Sequence, residues 1–526
     1  MKKHYLLLAL LSLAFFSCDP ARRAATSGKD DGQIEIVFLQ INDVYEISPL
    51  SDNSGGLARV AALRKSLLAQ NPNTFTALAG DFISPSVIGT LKHEGKRIRG
   101  KQMVETLNAL GLDWTVFGNH EFDYDYEDLQ ARLDESRFTW IAANARQVTT
   151  GGATQRFTQK QTDGSAKACP DYITVDVKDA DGTAVTLGVF GVLVTSGQKP
   201  FVAYTEPLAE AKRVHAELLG KTDIRVGLTH LDVADDLKLA AMLPDVSLVM
   251  GGHDHDNMFH RVGKAVVAKA DANARTVYIH TLRHNKKTGA TTVKSELRRI
   301  DGSIEPDPTT AAVVAKWEKI KSESLSSAGF DAGKKVTDLK EPLDCREAAV
   351  RHSQVPVGQM IVNAMFSVAK TNPECGFLNG GSIRVDDVLS GTLTELDIVR
   401  MLPFGGGIAE VEMRGNLLQR TLDAGLKNKG KGGYLHWGRI SRDESNKRWL
   451  IGSAPLDPKK VYRVVLADFL LTGLETNMDF LKTEVSADGK GTTNPDVLRL
   501  TRADAKNKND LRNDVRLALI EYLRKK

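Results

Sequence analysis

Apolar and polar positions along the first half of the chain change period repeatedly, from unbroken runs to helical spacing and back. Residues 34–41 (IEIVFLQI) form a β-rich run that reads as a buried strand. Apolar residues over 56–70 recur at helical spacing, and 74–79 is a short strand running into Gly80-Asp81. Segments 101–110 and 126–135 read as helices, 114–117 as a strand between them, and 185–193, 224–228 and 248–250 as further strands. Strands alternating with helices predict an α/β fold with at least one largely parallel sheet.

Pro306-Asp307-Pro308 interrupts the pattern. A helical stretch over 310–322 (TAAVVAKWEKIKS) follows, then a polar, Gly-containing segment up to Lys335, so the domain boundary is placed here. The second half is again mixed. Helices are expected at 358–371 and 417–426, strands near Phe377 and over 408–413 and 462–467, and an amphipathic helix at 512–526. The expected organisation is one domain over 34–308, a linker and hinge over 309–335, and a second domain over 336–526. A length of 526 residues, 42% hydrophobic and 26% charged, suits several globular domains and excludes collagen-like or disordered chains.

Lys2-Lys3-His4 precedes an apolar run ending at Phe16, shorter than the about 20 residues that span a bilayer. Residues 1–17 therefore read as a secretory signal. Cys18 after Ser17 resembles a bacterial lipobox. The expectation is export to the periplasmic or outer-surface face of a bacterial membrane, anchored by acylated Cys18 through the polar tether 18–33. Losing Lys2 and Lys3 takes the net charge from +4 to near +2, which gives no electrostatic reason to expect nucleic-acid binding. Cys169, Cys345 and Cys375 remain, with no Cys-x-x-Cys, and read as structural or incidental, one disulfide at most being open to them.

Five clusters close expected strands: Asn42-Asp43-Val44-Tyr45, Gly80-Asp81, Gly118-Asn119-His120-Glu121 with Asp123, Thr229-His230, and Gly251-Gly252-His253-Asp254-His255. The carboxyl ends of strands are where open α/β sheets place ligands. Oxygen and imidazole donors together suit Zn, Mn or Fe, and a shared carboxylate suits a pair of ions. In this order the clusters resemble the blocks of the calcineurin-like metallophosphoesterases. In the second half, Asn379-Gly380-Gly381-Ser382-Ile383-Arg384, Leu402-Pro403-Phe404-Gly405, Gly433-Tyr434-Leu435-His436 and Asp468-Phe469-Leu470 resemble the C-terminal domain of the 5′-nucleotidase/UDP-sugar hydrolase family. That resemblance spans most of the chain. It implies a four-layer αββα sandwich followed by an α/β substrate-binding domain.

The resemblance also implies roles. Asp43 and His255 hold a first metal ion, Asp81 bridges, and Asn119, His230 and His253 hold a second; the ions are Mn, Zn, Co or Fe. His120, oriented by Asp123, acts near the phosphate or leaving oxygen. Arg351, Asn379 and Arg384 bind substrate, Phe469 stacks on a base, and Glu475 stands where the family has a ribose-binding Asp. The chain departs from the family twice. Tyr45 occupies the position of a metal-binding His, either as a phenolate suited to Fe³⁺ or as a packing residue. Ile408 occupies the position of the second stacking aromatic; Tyr434 and Trp437 either supply replacement aromatic surface or only pack in the core or at the surface, packing being the expectation. The implied function is hydrolysis of nucleoside 5′-monophosphates by dimetal-activated water. The alternatives are UDP-sugar, 2′,3′-cyclic or other phosphoester hydrolysis, and a non-catalytic ligand-binding surface lipoprotein. The substrate is a small molecule; the membrane enters only through the anchor; the oligomeric state is not legible.

Overall fold

The computed structural model describes residues 30–526 except 51, 162, 196–198 and 488–490. The expected signal, Cys18 and most of the tether lie outside the described residues.

The apolar run becomes strand Gln33–Ile41. Its alternate side chains enter two cores, which is why it lacks a polar face: Ile36 and Phe38 lie between two sheets, and Val37, Leu39 and Ile41 lie under helices. The first sheet runs Ala290–Arg299, Thr276–Asn285, Gln33–Ile41, Thr74–Leu78, Trp114–Val116, Thr139–Ile141, its last four strands parallel. The second runs Tyr172–Lys178, Ala184–Leu193, Ile224–His230, Val246–Gly251, Ala265–Lys269, Met258–Val262, its middle four parallel. Helices Leu57–Gln70 and Lys101–Leu110 cover one side, Pro207–Leu218 and Val233–Met242 the other. The layers are helix, sheet, sheet, helix, as expected. The long hairpin Thr276–Asn285/Ala290–Arg299 was not legible in the sequence.

Asp307 caps helix Pro308–Ser327, its side chain accepting the Thr310 N–H at 2.9 Å. The polar segment expected to begin at 323 is thus helical as far as Ser327. Trp317 is buried in the first domain and donates its indole N–H to Glu105 at 3.0 Å, whereas Leu325 is buried in the second domain's core. The helix therefore packs against both domains as a strut.

The second domain carries a sheet in the order Leu435–Gly438, Cys375–Asn379, Val461–Ala467, Ile408–Arg414, Val497–Thr501. Helices Pro356–Val368 and Val515–Arg524 bury one face, and Gly415–Lys427 the other. Cys169, Cys345 and Cys375 are buried, unpaired thiols, and burial pushes those of Cys169 and Cys375 up to about 12.

His280 is wholly buried between the sheets and neutral. Its Nε2–H donates to Gln40 Oε1 at 2.8 Å, and its Nδ1 accepts the Ser295 hydroxyl at 2.7 Å. Burial depresses its pKa to about 3. The unfolded chain, with an ordinary histidine near 6.5, binds more protons below that pH, so this contribution is complete above about 6.5 and is lost as pH falls toward 3. Stability should decline across that window by as much as about 5 kcal/mol from this residue alone. Thermal melts from pH 7 to 4 should show a shallower decline for His280→Gln.

Candidate active site

Parallel strands of both sheets present their carboxyl ends to one edge, and the five clusters meet there. Two buried amides hold the sheets in register at this edge. Gln40 Nε2 donates to Gly251 O at 3.0 Å and to Ala268 O at 2.9 Å, and Asn42 exchanges hydrogen bonds with the backbone of Ala270. Each strand must turn sharply as it ends. Asp43, Asp81, His253 and His255 accordingly have left-handed backbones, with φ of 52°, 58°, 83° and 64°. Such conformations cost on the order of 1–3 kcal/mol each and persist where the surroundings over-determine them. Glycine is needed beside them: a Cβ on Gly118 would lie 2.1 Å from Asp81 Oδ1, and one on Gly252 2.2 Å from Ala79 O.

Glu121 supplies much of that determination. Its buried carboxylate accepts the N–H groups of Asp81 (2.8 Å), Phe82 (2.8 Å), Ile83 (3.1 Å) and Gly118 (2.6 Å). On the other sheet the fully buried Lys269 bonds Leu231 O at 2.5 Å, Gly252 O at 2.7 Å and the carboxylates of Asp236 and Asp254. It pins the loop that carries His253 and His255.

His230 donates Nδ1–H to Ala79 O at 2.8 Å, which leaves Nε2 facing Asp81 Oδ2 at 3.1 Å and Asn119 Oδ1 at 3.2 Å. Ligand atoms of Asp81, His230 and His253 lie within 4.8 Å of one another. Asp43 Oδ2 accepts the His253 N–H at 2.9 Å, and Oδ1 faces His255 Nε2 at 3.4 Å. Burial opposes ionisation of Asp43, but His255 and His230 hold it well below the usual carboxylate range. This set of buried carboxylates, with the partly buried Asn119 oxygen and the imidazoles of His230, His253 and His255 around them, fits divalent transition ions. Tyr45 does not turn away to pack. Its hydroxyl lies 3.0 Å from His255 Nε2, 3.4 Å from Asp81 and 3.5 Å from Asp43. Burial and those two carboxylates push its phenol far above the ordinary value, so without a cation it is a neutral hydroxyl.

His120 takes the Asp81 carboxylate onto its backbone N–H at 2.7 Å, and its Nδ1 bonds Asp123 at 2.9 Å. Burial lowers the basicity of this imidazole, but Asp123 and Asp81 outweigh it and raise the pKa. Asp123 also accepts the Ser84 hydroxyl at 2.8 Å.

The second domain faces this cluster across a cleft of about 330 Å³. Arg384 lies 3.3 Å from His120 Nδ1 and 3.7 Å from Asp123. Arg351 is paired with Glu347, and Asn379 Nδ2 donates to Glu475 at 2.7 Å. Ile408 corrects an expectation: at 1% exposure it is packed in the domain core opposite Ala467, because it opens a central strand, and it offers no stacking surface. Tyr434 is buried and Trp437 packs edge-on against Trp449, so neither replaces it. Among the described residues of the second domain, Phe469 at 42% and Phe404 at 55% are exposed aromatics, the latter 5.9 Å from the Arg384 guanidinium. Their loops are joined by the Asp468 N–H to Gly407 O bond of 3.0 Å. Glu121 and Phe404 stood within quoted motifs but carried no assigned role; Lys269 and Asp386, which bonds His255 from the second domain, had no sequence signal.

The family model for calcineurin-like phosphoesterase matches residues 36–257, and that for the 5′-nucleotidase C-terminal domain matches 335–483. The 5′-nucleotidase of Bos taurus is 24% identical over 510 residues, covering 84% of this chain and 83% of its own length. A 5′-nucleotidase precursor from Thermus thermophilus has the same fold, with a TM-score of 0.69 at 21% identity over 94% of this chain and 96% of that one. Sulfate thiohydrolase SoxB of Thermus thermophilus shares it too, with a TM-score of 0.61 at 14% identity over 93% and 94%.

Replacing Glu121 by Gln sets an NH₂ group against two of the four backbone N–H donors. Glu121→Gln should lose about 2–4 kcal/mol in denaturant unfolding and bind less metal by elemental analysis. Unchanged unfolding would refute the role given to this carboxylate.

Proposed function

The chain belongs to the calcineurin-like metallophosphoesterases with a 5′-nucleotidase C-terminal domain and is a phosphoric ester hydrolase, and from that footing we propose that it converts nucleoside 5′-monophosphates to nucleoside and phosphate. The observation that carries this reading is the placement of Arg384 against His120, which joins a polar cradle on one domain to the proton donor on the other. The family works with divalent metal ions.

We assign Asp43 and His255 to one ion, Asn119, His230 and His253 to a second, and Asp81 to both. When bound, the pair supplies Lewis acidity toward the phosphoryl oxygens and an acidified water. The chain's own groups do the remainder. Arg384 and Arg351 grip the phosphate and orient it. His120 holds a proton for the leaving ribose oxygen. Asp123, kept well below the usual carboxylate range by His120 and Arg384 against the effect of burial, stays ionised and fixes that imidazole. Glu475, seated by Asn379, takes the ribose hydroxyls. Phe469 holds the base, with Phe404 in the place expected of Ile408. Any pivot between the domains we assign to the turn after Ser327, since the helix before it is a strut. The buried Ile408 also favours a second reading, a phosphoester without a base. A non-catalytic reading would need Tyr45 to spoil the metal site, and its hydroxyl stays inside the cluster.

Phosphate release from AMP, UDP-glucose and bis-p-nitrophenyl phosphate, after loading with Mn²⁺, Zn²⁺, Co²⁺ or Fe, tests this. AMP should be preferred, and His120→Ala should lower turnover about 10²–10⁴-fold. Phe404→Ala and Phe469→Ala should each raise KM for AMP about tenfold, as loss of roughly 1.4 kcal/mol of stacking requires, and leave ribose 5-phosphate unaffected. Equal turnover of ribose 5-phosphate and AMP would sink the nucleotide reading in favour of the second.

We also propose export and anchoring through Cys18, on the signal-like leader. Cys18→Ala should move the protein from the membrane to the soluble fraction of a bacterial host; retention in the membrane would end that proposal.

A further inference from the structure

We infer that Asp386 of the second domain is a positioning residue for the metal centre of the first, fixing the His255 imidazole so that Nε2 faces Asp43 and Tyr45. The inference rests on the two-ion reading above.

One Asp386 oxygen accepts the Nδ1–H of His255, and the other accepts the Glu347 backbone N–H at 2.6 Å. Asp386 itself has a left-handed backbone, φ 43°, so its carboxylate is aimed by its loop. With Nδ1–H tied to a carboxylate the ring is more basic, and the proton that a bound ion displaces from His255 is the one on Nε2, which fixes the donor atom. That Nε2 is the atom 3.0 Å from the Tyr45 hydroxyl and 3.4 Å from Asp43. His230, by contrast, is oriented by Ala79 O within its own domain. One half of the centre is therefore self-contained, and the other borrows its orienting group from the neighbouring domain.

The bland alternative is that Asp386 only helps glue the domains. Other pairs across the seam do that: Asp387 with Arg275 at 2.7 Å, and Arg400 with Glu46 at 3.7 Å. They provide the control. If Asp386 acts through His255, then the affinity of that ion and the packing of the domains are linked, each strengthening the other.

The test is calorimetric titration of Mn²⁺ into the metal-free mature chain, with no substrate present. The wild type should bind two ions. Asp386→Ala should weaken one of them about 10–100-fold and spare the other. Asp386→Asn, whose amide oxygen still accepts the Nδ1 proton, should restore part of that loss. Asp387→Asn should leave both ions at wild-type affinity. Asp386→Ala binding both ions like wild type, or Asp387→Asn weakening one as much, would overturn the assignment. If Asp386→Ala fails to fold, the comparison of Asp386→Asn with Asp387→Asn decides. A wild type that binds fewer than two ions refutes the two-ion centre itself, whereas AMP turnover bears only on the substrate.

Discussion

The catalytic edge hangs on one buried carboxylate. Where strands Thr74–Leu78 and Trp114–Val116 end, the backbone leaves the sheet ladder, and the N–H groups of Asp81, Phe82, Ile83 and Gly118 have no strand to bond. Glu121 takes all four. Burying a lone carboxylate costs several kcal/mol, but hydrogen bonds to a charged group contribute about 1.5–3 kcal/mol each. Here burial and the Asp81 carboxylate outweigh the four bonds and push this carboxyl up to about 7, so the bonds offset part of the cost while fixing the backbone that holds Asp81 in its left-handed conformation. The second sheet answers with a buried ammonium. Lys269 gathers two carbonyls and two carboxylates beneath the His253 loop. The centre thus stands on a buried carboxyl under one sheet and a buried ammonium under the other, with Gln40 and Asn42 keeping the two in step.

The layered fold and the positions of the metal-facing residues were legible in the sequence because both are local. A ligand at a strand end needs only a strand, a small residue and a donor, and each cluster supplies these within a few positions. What was not legible is what distant segments do to one another. Lys269 meets Asp254 through a turn and a strand pairing. Asp386 meets His255 across 131 positions and a domain seam, which no periodicity encodes. Ile408 was misjudged for a related reason: its place in a motif suggested a cleft wall, but strand Ile408–Arg414 is sandwiched by Val461–Ala467 and Val497–Thr501 and turns that side chain into the core. Phe404, three residues after Met401 on a glycine-flanked loop, keeps its exposure.

The domain seam is made of charge pairs rather than a shared apolar core, apart from Val87 and Leu91 reaching into the second domain's cluster. Such contacts give orientation more than cohesion. The strut Pro308–Ser327 supplies the cohesion, since Trp317 and Leu325 are buried on either side.

The three buried thiols have a consequence for how the chain is made. Each is enclosed by apolar neighbours in a different cluster, and those of Cys169 and Cys375, pushed up to about 12, carry almost no thiolate at neutral pH. Thiol exchange needs the thiolate, so once folded these cysteines are spectators to the redox state around them. The described fold asks nothing of an oxidising folding factor, and recombinant chain produced in a reducing cytoplasm should reach the same architecture as chain that matures elsewhere.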